Sequence, residues 1–108
     1  MSDSFKERGQ AFEAKFKLDE EQAFRATSRR NRLLGEWLAS QFGMPEADAK
    51  EYAKTVVAAD LEEPGDEDVM RKVMADIASH KVDVSEQQVR EKLVEFHEEA
   101  ARQIAEDS

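Results

Sequence analysis

Two histidines, one acidic run and one arginine cluster are the groupings in this sequence whose residue types could support chemistry. His80 stands before Lys81, and His97 follows Phe96 and precedes two glutamates. A zinc-binding helix needs two histidines about one turn apart, which these are not. His80 is better placed to bond the last carbonyls of a helix. The chain has no cysteine, so a thiolate nucleophile, a thiolate metal site and a disulfide framework are all excluded. That usage fits a reducing compartment. No catalytic set, metal or cofactor is expected.

The acidic run from Asp60 to Arg71 has the outline of a calcium loop, with Asp60, Glu62, Gly65, Asp66 and Asp68 at the first, third, sixth, seventh and ninth positions. It fails at the ligands that matter. Pro64 occupies the fifth position and Arg71 the twelfth, where a bidentate glutamate belongs. A solvated turn whose acidic residues favour a helix start explains the run instead.

Arg25, Arg29, Arg30 and Arg32 form the basic cluster, and Arg25, Arg29 and Arg32 share one helix face at four- and three-residue steps. Glu21 is spaced to pair with Arg25 and Glu36 with Arg32, which leaves Arg29 and Arg30 least compensated. Three uses stay open for Arg25, Arg29 and Arg30: a solvated face, contact with an acidic partner, or a weak phosphate or nucleotide site. No GxxxxGK[ST] loop is present to cradle phosphates, so any nucleotide binding would be weak and regulatory.

A chain of 108 residues suits one small domain. Its formal net charge of -9 repels phosphate backbones and argues against nucleic-acid binding. From Met1 to Phe42 there are eight Lys/Arg against seven Asp/Glu, whereas from Gly43 to Ser108 there are eight against eighteen. The acidic surface therefore belongs to the later part. No apolar run is long enough for a signal peptide or a membrane span.

The elements that position these groups read as helices. Asp19, Glu20 and Glu21 open a long one whose apolar positions recur at Ala23, Phe24, Thr27, Leu34, Trp37, Leu38 and Phe42, and Gly43 stops it. At about 1.5 Å per residue this helix should outreach its neighbours, with its early turns projecting. A second helix begins near Pro45 and buries Ala49, Tyr52, Ala53, Val56 and Val57. A third follows Gly65, with Val69, Met70, Val73, Met74 and Ile77 inward, and runs to about Lys81. The fourth starts at a capping box of Ser85 and Gln88 with Val84 and Val89 as hydrophobic staple, and turns Val89, Leu93, Phe96, Ala100 and Ile104 inward. No period-two alternation marks a strand. The expected fold is all-α, a four-helix bundle with a long first helix and a mobile amino-terminal arm.

The arm is residues 1–18 and the four-helix body residues 19–108. Phe5, Phe12 and Phe16 fall on one narrow stripe if the arm is helical, yet few apolar neighbours support them. Gly9 weakens a helix there by about 1 kcal/mol relative to alanine. The stripe either packs back on the body or meets a partner. Arg8, Lys15 and Lys17 would supply charged contacts in the second case.

Across nearly every segment the sequence resembles the zeta-subunit family, the ATPase inhibitors of α-proteobacterial F-type ATP synthases. The resemblance rests on Phe12-Glu13-Ala14-Lys15-Phe16, Asp19-Glu20-Glu21, Arg29-Arg30-Asn31 with Leu33-Leu34-Gly35 and Trp37, Tyr52-Ala53-Lys54 with Val56-Val57-Ala58-Ala59-Asp60, and Glu62-Glu63-Pro64-Gly65-Asp66-Glu67-Asp68-Val69. It implies a non-enzymatic inhibitor whose arm, with Phe5, Arg8, Phe12, Lys15, Phe16 and Lys17, enters a catalytic α/β interface and reaches the central γ rotor. It also implies a cytoplasmic monomer when free, acting on the inner-membrane enzyme without inserting in the membrane itself. Two other readings stay open: a helical adaptor or oligomerisation protein that uses the same stripe, and a weak nucleotide sensor built on the arginine cluster.

Overall fold

A computed structural model describes residues 18–60 and 66–107. Among them are four helices, α1 (Glu20–Gln41), α2 (Glu46–Ala59), α3 (Glu67–His80) and α4 (Glu86–Asp107), and no strand. The all-α expectation holds. The residues expected to form the arm, including Phe5, Phe12 and Phe16, lie outside the described residues apart from Leu18.

Local chemistry sets the helix ends. At the start of α1 the Gln22 amide donates to the Asp19 carboxylate at 2.7 Å, and the Asp19 amide donates back to the Gln22 side chain at 3.1 Å. This is a complete capping box, built from the same three-residue spacing that announces the one at α4. There the Gln88 amide donates to Ser85 Oγ at 3.1 Å and the Ser85 amide to Gln88 Oε1 at 2.9 Å. Both staple residues, Val84 and Val89, are in the core. At the other end of α1, Gly43 adopts φ 77°, its amide reaches the Ser40 carbonyl at 3.1 Å, and the Met44 amide reaches Ala39 at 3.0 Å. These two bonds satisfy carbonyls that the helix leaves open. Pro45 caps α2 from just outside it, one position earlier than the first helical turn.

α1 packs along both α2 and α4, and α3 makes lesser contacts with α2 and α4. The main core joins Leu34 and Leu38 of α1 to Val56 of α2, Val69, Val73 and Ile77 of α3, and Val89 and Leu93 of α4. A smaller cluster of Ala26, Ala100 and Ile104, flanked by Leu18 and Leu33, holds the first turns of α1 against the last turns of α4. α1 does outreach α2 and α3, with 22 residues against 14 for each. The expected projection of its early turns is not observed, because α4 also has 22 residues and runs back beside them.

Phe24 corrects a second expectation. It is 60% exposed, although its spacing suggested a core residue. The buried stripe of α1 runs through Ala26, Arg30, Asn31, Leu34, Leu38 and Ala39. Two of these are polar, so counting apolar residues put the face in the wrong place. Phe24 precedes Ala26 by two residues, about 200° around a helix, and so points away from the core.

Candidate functional site

The arginine cluster divides on folding. Arg29 reaches across to the end of α4, where its Nη1 donates to Gln103 Oε1 at 3.1 Å and lies 3.5 Å from Asp107 Oδ2. Arg30 turns inward and is 7% exposed. Its Nε and Nη2 donate to Asn31 Oδ1 at 3.0 and 2.8 Å, and Nη2 also donates to Asp66 Oδ1 at 3.0 Å. These two are therefore well compensated, contrary to the reading from helical spacing. Their carboxylate partners, Asp66 and Asp107, lie 36 and 78 residues away, beyond the reach of that rule. The expected Arg32 to Glu36 pair is present at 3.8 Å between two exposed side chains.

Arg30 therefore leaves the candidate site and becomes a buried tie between α1 and the start of α3. Asn31 shares that role. It is fully buried, its Oδ1 faces the guanidinium, and its Nδ2 lacks a hydrogen-bond partner among the described residues. Nearby, burial raises the pKa of the Asp60 carboxyl, with Arg30 opposing the rise, Asp66 adding to it and the Asn31 side chain opposing it to a lesser degree.

Arg25, Arg29 and Arg32 do share a face. With Phe24, Ser28, Val57 and Ile104 they line a shallow groove of about 340 Å³. A second groove of about 340 Å³ continues from it, lined by Arg32, Glu36, Lys50, Lys54 and Val57. Arg32 and Val57 belong to both. The surface is thus a basic strip across α1 and α2, and α2 contributes cations that reading α1 alone did not find. The available signal was the four-residue spacing of Lys50 and Lys54, with Val57 three further on.

The remaining candidates are engaged in packing. His80 stacks on Phe42, with ring centroids 4.0 Å apart and planes 7° apart. His97 is half-buried and also has a partner. In the acidic run, Asp66 is committed to Arg30 and Asp68 to Arg71. On the far side of α2, the Tyr52 hydroxyl donates to Asp76 Oδ2 at 2.7 Å, and Lys72 Nζ reaches the same oxygen at 3.0 Å. Burial first, then the bond to Asp76 and its charge, push the Tyr52 hydroxyl well above the ordinary phenol range. Among the described residues no group of three or more His, Asp or Glu side chains is arranged to hold a metal ion. No described helix is long and apolar enough to cross a membrane.

Fold and surface together define a small all-helical protein whose distinctive exposed feature is a basic strip. The chain belongs to the ATPase inhibitor subunit zeta family, whose model matches residues 1–103. That membership gives it a regulatory, inhibitory role on an ATPase. A comparison with curated proteins found no match.

Proposed function

We propose that the chain blocks ATP hydrolysis by an F-type ATP synthase, with residues 1–18 entering a catalytic α/β interface near the γ rotor and residues 19–108 serving as the carrier. The target is the catalytic head on the cytoplasmic side of the inner membrane. The observation that carries this reading is the family match, which spans the amino-terminal segment as well as the body. The capping box at Asp19 supports the division, since it closes the first helix with the chain's own groups and lets the body begin there.

Energetics favour a partner for the segment. Ordering each residue costs about 1 to 2 kcal/mol, and burying a phenylalanine returns about 1.5 to 3. Phe5, Phe12 and Phe16 alone do not order a segment of this length. Helical hydrogen bonds and charged contacts from Arg8, Lys15 and Lys17 on the enzyme make up the difference.

The test is an ATP-hydrolysis assay on the cognate catalytic head with the full chain and with residues 2–17 deleted. Inhibition should vanish with the deletion while the thermal unfolding of the body, followed at Trp37, is preserved. Undiminished inhibition by the truncated chain would sink the proposal.

A further inference from the structure

The basic strip across α1 and α2 has a position and a chemistry that the inhibitory segment does not explain. Arg25, Arg29, Arg32, Lys50 and Lys54 meet there in a chain whose net charge is -9. Arg29 is engaged by α4, whereas the local acidic partners of Arg32, Lys50 and Lys54 hold them loosely. Arg32 lies 3.8 Å from Glu36 and Lys50 3.9 Å from Glu46, and Lys54 meets Glu51 at 3.2 Å, all between exposed side chains. Such pairs are worth little in water and are readily exchanged for a partner's carboxylates. Phe24 stands at one end of the strip, and only it and Val94 are large hydrophobics so exposed among the described residues. A basic surface with an exposed aromatic residue beside an apolar floor at Val57 fits a protein interface.

We propose that this strip docks an acidic surface of the ATPase head that presents an apolar side chain to the groove at Val57. The assignment rests on the inhibitor reading above. Continuity with the proposed inhibitory segment argues for it. Phe24 lies five residues beyond the Asp19 cap, about 7.5 Å along the helix axis, so the strip starts close to where the segment leaves the body. A segment engaged in the head would bring this face against the enzyme. The strip lies along the sides of helices, where backbone amides are already bonded, and so offers a phosphate no amide cradle. That favours an acidic protein surface over a nucleotide. The segment itself carries four Lys/Arg against three Asp/Glu over residues 1–17, and so has no acidic excess with which to cover the strip.

The test uses the full chain with Arg25→Glu and Lys54→Glu together, and separately with Phe24→Ser, titrated against the cognate catalytic head at several salt concentrations. The charge reversal should weaken binding by about ten-fold or more at low salt, with the loss shrinking as salt screens the contact. Phe24→Ser should weaken binding without changing its salt dependence. Unchanged thermal unfolding of both variants shows that the body is intact. Affinity and salt dependence unaltered by the reversal would overturn the docking strip. So would concentration-dependent self-association of the free chain that the reversal abolishes, because the strip would then join two copies. Binding of millimolar ATP that the reversal removes, with affinity for the head unchanged, would make it a nucleotide site and also overturn the proposal. Deletion of residues 2–17 separates the two readings: continued inhibition defeats the inhibitory-segment model, whereas the strip is judged by the reversal alone.

Discussion

A Cβ built on Gly35 of α1 would lie 2.6 Å from the Cα of Ala53 on α2, 3.1 Å from its Cβ and 3.2 Å from a methyl of Val56. The hydrogen at Gly35 is what lets the two helices meet. A glycine inside a helix costs about 1 kcal/mol relative to alanine, and here the close approach of α1 and α2 offsets that cost. Gly35→Ala should therefore destabilise the body despite its better helix propensity, by about 1 to 3 kcal/mol, because the clash is with backbone. Urea unfolding followed at Trp37, the single tryptophan, would measure it. An unchanged or raised midpoint would mean that the helices separate at little cost.

Arg30 links Asn31 and Asp66, and its removal should leave the buried Asn31 oxygen without its donors. Arg30→Ala is expected to cost about 2 to 3 kcal/mol, combining an unsatisfied buried acceptor with lost packing. Arg30→Met combined with Asn31→Leu should be markedly closer to wild type, since both polar partners are then gone together. Chemical denaturation of the three proteins decides it. Equal losses in the single and double variants would show that packing, not the polar tie, is what Arg30 contributes.

Asp60 caps the carboxyl end of α2, and burial raises its pKa above the ordinary carboxylate value. A folded pKa above the unfolded one means that ionisation of Asp60 opposes folding. Asp60→Asn should thus be more stable than wild type at neutral pH. The advantage should narrow as pH falls through the raised pKa, where wild type takes up its proton, and level off below the unfolded value of about 3.9. Denaturation midpoints of both proteins across pH 3 to 7, roughly the carboxylate range, would show this convergence. A variant less stable than wild type at neutral pH would mean that attraction to Arg30 outweighs burial.

The Tyr52 hydroxyl and the Asp76 carboxylate predict behaviour at the alkaline end. Tyr52→Phe should cost about 1 to 1.5 kcal/mol, near the low end for a bond to a charged acceptor, because Asp76 keeps Lys72 as a partner. The folded pKa of Tyr52 is raised, so its contribution is fully present below the unfolded value of about 10 and is lost as pH rises beyond it. The stability gap between the two proteins should be flat from neutral pH to about 10 and then close. A gap that persists at higher pH would assign the loss to packing of the ring.

Phe24→Ser is expected to leave stability within about 0.5 kcal/mol of wild type, as for other exposed positions, whereas Leu34→Ala should cost about 2 to 5. Thermal unfolding separates them. A large loss at Phe24 would mean that the ring is covered in the free chain.

Much of this body could be read without its fold. Ser85 and Gln88 marked the start of α4, Gly43 the end of α1, and the stripes of α3 and α4 located their inner faces. Those signals are local, acting through backbone geometry and side chains three to five residues apart. Asp19 and Gln22 carry an equally local capping signal at the start of α1. The family resemblance, too, lay in the residues themselves and is matched across residues 1–103. Tertiary structure decided which charges are spent and which face outward. Arg30 went to Asp66, Arg29 went to Gln103 and Asp107, and Lys50 and Lys54 were brought beside Arg32. It also turned Phe24 out and set Gly35 against Ala53. None of these relations is periodic along the chain. Each follows from how one helix lies against another, and so the body was legible in the sequence while the basic strip on its surface had to await the fold.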